Sequence, residues 1–118
     1  MYRQNLIILR DFIKDNKLRV QRHLKMSEYY TRGSVILNPT EVIGKFPQCG
    51  TSCCLIGWCA HIPGLREQIT DTTAFFKVSE VLFNMSDAED VFHHLFGSHN
   101  PNNVDKAVKR LDEVIGHA

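Results

Sequence analysis

The stretch Cys49-Gly50-Thr51-Ser52-Cys53-Cys54-Leu55-Ile56-Gly57-Trp58-Cys59-Ala60-His61-Ile62 decides how this chain is read. It lies at the centre of an uncharged run over residues 46–65. Leu55, Ile56, Trp58, Cys59, Ala60 and Ile62 leave it no polar face. A helix that is apolar all round is buried on every side, so the pattern predicts a central helix over residues 51–62. Thr51 or Ser52 would cap it and Pro63-Gly64 would stop it. Gly57 inside such a helix costs about 1 kcal/mol against alanine, and close approach of a neighbouring helix or aromatic ring is the expected return. The run is no membrane span. Two prolines, three glycines, Gln48 and His61 cut its continuous apolar part below bilayer length.

Working outward, amphipathic helices are expected on both sides. Residues 5–15 place Leu6, Leu9 and Ile13 on one face with Phe12 beside them, and Asn16 is the expected C-terminal residue. Residues 17–26 alternate in part and read as an extended or irregular linker. Ser27 is placed to cap a short helical turn over Glu28, Tyr29 and Tyr30. Because one short turn cannot face both tyrosines inward, one should be exposed. Residues 33–47 read as a loop with room for a helical turn begun by Thr40.

On the C-terminal side, residues 72–84 read as a helix with Phe75, Ser79 and Leu82 on one side. Ser86-Asp87-Ala88-Glu89 is a capping box opening a helix with Ala88, Val91, Phe92, Leu95 and Phe96 inward, ended by Gly97. Val104, Ala107, Val108, Leu111, Val114 and Ile115 make the stripe of a last helix, ended by Gly116. The fold class expected is mainly all-α: a compact bundle of four to five helices around a buried central helix, with room for a short two-stranded element in residues 17–50. At 118 residues the chain fits one domain over 1–118.

The net charge of +1 is unevenly spread. Residues 1–32 carry eight Lys and Arg against three Asp and Glu, whereas the remainder carries six against ten. A basic end favours acidic partners; the plainer reading, which we prefer, sets it against the acidic C-terminal helices. All four cysteines fall within eleven residues, at 49, 53, 54 and 59. Such clustering does not tie distant segments together, so it argues for reduced thiols and a cytoplasmic location. Arg3, Gln4, Asn5 and Arg10 rule out reading the first residues as a secretory signal.

Residues 49–58 resemble the CGTxxCxxGW core of small, mostly uncharacterised proteins encoded by phages and prophages. Residues 25–30 (KMSEYY) are similar to a segment that precedes that core, residues 86–97, ending Leu95-Phe96-Gly97, to a later helix, and residues 107–116 (AVKRLDEVIG) to a closing one. Cys53 and Cys59 depart from the pattern. The resemblance implies a phage-type accessory protein acting in a bacterial host cytoplasm, of a class that often blunts host defence by blocking a protein or trapping a nucleotide signal.

Four chemical readings compete around the central motif. Zinc wants four convergent N/S ligands; C-x3-C-C-x4-C on one helix leaves only Cys49 and Cys53 as weak metal candidates. A Cys49 nucleophile would gain from a helix N-terminus, but no arginine closes the loop before Arg66 and no histidine base is assigned. Gly50, Thr51 and Ser52 at a helix start would offer N–H groups and hydroxyls to an anion; the plainer alternative is an ordinary cap. Tyr29, Tyr30 and Trp58, with Arg32 and Arg22, would form an aromatic and basic clamp for a nucleotide. No duplex-DNA recognition pattern occurs, and His93-His94 reads as surface or boundary. The resulting expectation is a non-catalytic protein without a cofactor that sequesters a small anionic, nucleotide-like signal. The alternatives are a protein–protein inhibitor of a host protein and a zinc-stabilised structural protein. The chain would tolerate a homodimer.

Overall fold

The computed structural model describes residues 2–33, 35–42, 51–69 and 74–117. They form a predominantly helical fold with a small three-stranded antiparallel sheet. Helix α1 (Arg3–Asp15) buries Leu6, Leu9 and Ile13, the face expected, together with Asn5. Asn16 ends it and its side-chain amide donates to the Phe12 carbonyl at 2.9 Å.

Residues 17–26 are not a linker throughout. Lys17–His23 is a second helix, α2, with Val20 as its buried residue. Its pattern is weak because seven residues place only one side chain in the core. Ser27 does not cap a helix: Tyr30 already belongs to strand β1 (Tyr30–Arg32), which pairs with β2 (Val35–Ile36). Helix α3 (Pro39–Val42) supplies the turn expected near Thr40.

The main correction concerns the central segment. It is buried as expected, but it is not one helix. Thr51–Cys53 is strand β3, Leu55–Trp58 is a single turn of helix, α4, and Cys59–His61 is a 3₁₀ turn. A uniformly apolar run carries no period, so strand and helix look alike in it; the backbone of β1 decides the matter. Tyr30 faces Cys53, Thr31 faces Ser52 and Arg32 faces Thr51. Beyond β3, the Lys25 N–H donates to the Cys53 carbonyl at 2.9 Å and the Cys54 N–H to the Glu28 carbonyl at 2.7 Å. Gly57 is needed for close approach, but to neither a helix nor a ring. A Cβ there would collide with the Tyr29 backbone carbonyl and stand 2.8 Å from Cys53 Cβ.

The C-terminal half follows its pattern more closely. A 3₁₀ turn (Phe75–Lys77) leads into α5 (Val78–Phe83), burying Phe75, Ser79, Leu82 and Phe83; residues 72 and 73 of the expected helix lie outside the described residues. Glu89 reaches back to the Ser86 N–H and the Ala88 N–H donates to Ser86 Oγ, as in a capping box. Helix α6 nevertheless starts later, at Asp90–Phe96, so Ala88 is exposed rather than inward. Helix α7 (Val104–His117) runs past Gly116 and buries Val104, Ala107, Leu111 and Ile115. It lies along α1 and α2. The basic end meets carboxylates of this charge-balanced helix: Arg10 pairs with Asp112 at 3.0 Å and Lys17 with Asp105 at 2.7 Å. Gln21 ties the same seam, accepting from the Val104 N–H and donating to the Asn102 carbonyl. No helix among the described residues is long and apolar enough to cross a membrane.

Candidate functional site

Side chains opposite one another in an antiparallel pair share a face, and alternation puts Tyr30, Arg32, Thr51 and Cys53 on the same side of the sheet. Tyr30, Thr51 and Cys53 are buried there, with Arg32 partly covered at the rim. The α4 segment closes over this face. The Tyr30 hydroxyl lies 2.7 Å from His61 Nε2, the His61 and Trp58 rings are 5.6 Å apart, and the Trp58 and His23 rings 6.2 Å apart. His23 Nδ1–H donates to the Thr51 carbonyl at 3.0 Å. Contacts therefore run in a closed circuit: Arg32, Thr51, His23, Trp58, His61, Tyr30 and back along the strand to Arg32.

Four members of this circuit hold a buried polar atom without a hydrogen-bond partner among the described residues: Arg32 Nε, Thr51 Oγ1, Trp58 Nε1 and His61 Nδ1. Thr51 is 4 %, Trp58 1 % and His61 7 % exposed. Similar atoms occur on Ser79 and Arg110, on separate helices. Buried polar groups are nearly always paired, and each unpaired one costs about 1–3 kcal/mol, so four in one circuit call for a cause.

Their donor character follows from the chemistry. Trp Nε1 and Arg Nε only donate, and a threonine hydroxyl can do so. Burial pushes the Tyr30 phenol up to about 12, so it keeps its proton. Burial, with Arg66 and His23 nearby, pushes His61 down to about 4, so its ring is neutral at pH 7. The phenol then donates to Nε2 and leaves the proton on Nδ1. The opposite tautomer would strand both the phenolic proton and the Nδ1 lone pair. All four groups thus present N–H or O–H.

The expected sites are rearranged accordingly. Thr51 and Ser52 are strand residues, not a helix start, so they cannot form a helix N-terminal anion site; Gly50 lies outside the described residues. Tyr30, Arg32 and Trp58 do come together, but Tyr30 and Trp58 are buried and offer polar edges rather than open faces for stacking. Tyr29 is separate. It is 36 % exposed, stacks on Phe75 at 6.2 Å and stands between two surface concavities of about 210 and 460 Å³ that share Ser27 and Glu28. Arg22 is exposed on α2. His61 and His23 were missed as site residues. His61 stands among apolar residues and His23 among polar and charged ones, and only the tertiary fold brings both against Trp58.

The cysteines behave as core. Cys53, Cys54 and Cys59 are buried free thiols. Burial pushes Cys54 up to about 11 and Cys53 and Cys59 well above their usual value. A metal ligand or nucleophile needs the thiolate, which this setting opposes. Cys49 lies outside the described residues, and among those described no three metal-ligating side chains gather. His93 and His94 are exposed on α6, as expected.

The chain matches no family model, no curated protein and no solved structure. The site's own chemistry therefore carries the functional argument.

Proposed function

We propose that this is a non-catalytic, phage-type accessory protein that counters a host defence by binding and holding a small anionic, nucleotide-like ligand. The phage context rests on the resemblance of residues 49–58 to the CGTxxCxxGW core. The binding reading rests on one observation: four buried donors without acceptors, gathered in one circuit on the inner face of the sheet. A ligand rich in acceptor oxygens would recover most of the free energy lost in burying them. Arg32 and His23, both partly exposed, are the members of the circuit that reach solvent.

Native mass spectrometry beside the denatured mass tests this. A retained mass of a few hundred daltons, lost in Arg32→Gln, is the expected result. A bare chain that shows no thermal shift across a panel of nucleotides would remove the reading.

A second reading has its own support. Val35 and Ile36 are 57 % and 78 % exposed on β2, beside Tyr29. An exposed apolar hairpin of this kind suits a protein–protein inhibitor. A stoichiometric host protein captured by the wild type and lost in Ile36→Asp, with no small ligand retained, would favour it.

A further inference from the structure

We infer that β2 is a dimerisation edge: two copies of this chain pair antiparallel about Ile36 and join their sheets across a two-fold axis. The inference is independent of the ligand-binding reading. It gives the exposed hairpin to a second copy rather than to a host protein.

The register of the hairpin carries the argument. Facing residues in an antiparallel ladder alternate between hydrogen-bonded and non-bonded pairs. The Leu37 N–H donates to the Tyr30 carbonyl at 3.0 Å, so Tyr30 and Leu37 are a bonded pair. Thr31 and Ile36, next along the ladder, are then a non-bonded pair, and the Ile36 N–H and C=O both point away from β1. The strand order is β2-β1-β3, so those groups face outward, and the Ile36 residue is 78 % exposed. The opposite edge is covered, because the Lys25 N–H bonds the Cys53 carbonyl and Leu24 bridges Cys53. Beyond Ile36, the Asn38 N–H is taken by the Glu41 carboxylate at 2.6 Å. Ile36 therefore offers one donor and one acceptor on the open edge of the sheet.

A residue with that pair of groups is complementary to itself. Opposite the partner's Ile36 it gives one hydrogen bond and receives one. The pairing uses the open edge of both sheets, so it closes at a dimer and does not propagate.

Charge fixes the direction. Arg32 stands at the turn end of the hairpin and exposed Glu41 on α3 at the other end. Neither has an ion-pair partner among the described residues. Antiparallel pairing turns each unmatched cation toward the partner's Glu41, whereas parallel pairing would set like charge beside like. Glu28, in the wall of the neighbouring concavity, is already matched by Lys25 at 3.3 Å. Side chains follow the same register. Val35, 57 % exposed, comes opposite the partner's Leu37. The two Ile36 side chains meet beside the concavity of about 460 Å³ that Tyr29, Thr31, Gly33 and Ile36 line.

Sedimentation velocity of the full chain, from micromolar to millimolar concentration, tests this. A species of twice the 13.5 kDa chain mass is expected to grow with concentration. Ile36→Pro removes the outward N–H and spares the bonds to β1, as proline on an edge strand can; it should weaken the dimer about tenfold or more. Glu41→Gln keeps an acceptor for the Asn38 N–H and removes the charge, so it should weaken the dimer severalfold, as should added salt. Circular dichroism verifies that both variants are folded. Amide exchange of the wild type gives a readout without substitution: the Ile36 N–H should be protected in concentrated samples and exchange freely in dilute ones. A monomer at every concentration overturns the inference, as does an open-ended assembly or a dimer that folded Ile36→Pro leaves intact. A monomer that captures a host protein through Ile36 also overturns it and gives the hairpin to the inhibitor reading.

Discussion

Two polar seams in this molecule are built in opposite ways. Where α1 and α2 meet α7, polar groups find partners at the surface: Arg10 with Asp112, Lys17 with Asp105, and Gln21 with the backbone at Asn102 and Val104. On the inner face of the sheet, Arg32, Thr51, Trp58 and His61 bury polar atoms that have none among the described residues. The first seam is a closed structural joint whose charges are solvated and individually weak. The second holds donors at a free-energy cost of about 1–3 kcal/mol each. The contrast separates a seam whose polar groups are paired from the face on which the binding proposal rests.

The largest expected effect breaks the support of the inner face. Gly57→Ala drives a methyl into the Tyr29 carbonyl, a backbone atom that cannot swing aside. Overpacking of this kind costs about 1–3 kcal/mol and sometimes more, so urea denaturation should show a loss of about 3 kcal/mol or outright failure to fold.

Next comes the pH dependence of His61. Its folded pKa, about 4, lies below the ordinary value of 6.5. Between those values the unfolded chain binds more protons, so stability is complete above about pH 6.5 and falls as pH drops toward 4. The full span is worth about 3 kcal/mol. His61→Phe should flatten denaturation midpoints across that window, whereas an unchanged slope would place the titration elsewhere.

Thr51→Val sharpens the comparison because its sign is unusual. It keeps the β-branched shape and removes an unpartnered hydroxyl. The free protein should gain about 1 kcal/mol while losing affinity for its ligand. A destabilised variant would mean that the hydroxyl is already satisfied.

The smallest effect belongs to the closed seam. Lys17→Gln should cost less than about 0.5 kcal/mol, because its pair with Asp105 is exposed. A larger loss in thermal denaturation would show that the seam carries more than its solvated charges suggest.

The same division marks how much was legible in the sequence. Helices α1 and α7 could be read because a 3.6-residue period shows which side chains turn inward. The Leu6–Leu9–Ile13 and Val104–Ala107–Leu111–Ile115 faces are where the pattern put them. The charge asymmetry set the basic end against the C-terminal helices, and Arg10–Asp112 and Lys17–Asp105 are pairs of that kind. Residues 51–62 had no period to read. Their burial could be inferred, but their division into strand, helical turn and 3₁₀ turn depends on long-range pairing with Tyr30–Arg32. For the same reason Tyr30, Arg32, Thr51 and Trp58 were individually suspected but wrongly arranged. Hydroxyls expected at a helix start sit on a strand, and rings expected to stack on a base turn their polar edges inward. Only one clue to His61 was available beforehand: a histidine in an otherwise uncharged, buried run must have a polar partner.

The central claim is that the inner face holds unpartnered N–H and O–H groups, and His61 is the member whose role is open to direct observation. Long-range ¹H–¹⁵N histidine spectra of the folded protein at pH 7 report which ring nitrogen holds the proton. The account predicts a neutral His61 with the proton on Nδ1, and a change in the Nδ1 signal when ligand fills the site. A proton on Nε2, or a doubly protonated ring, would turn His61 into an acceptor or a second cation and contradict the account.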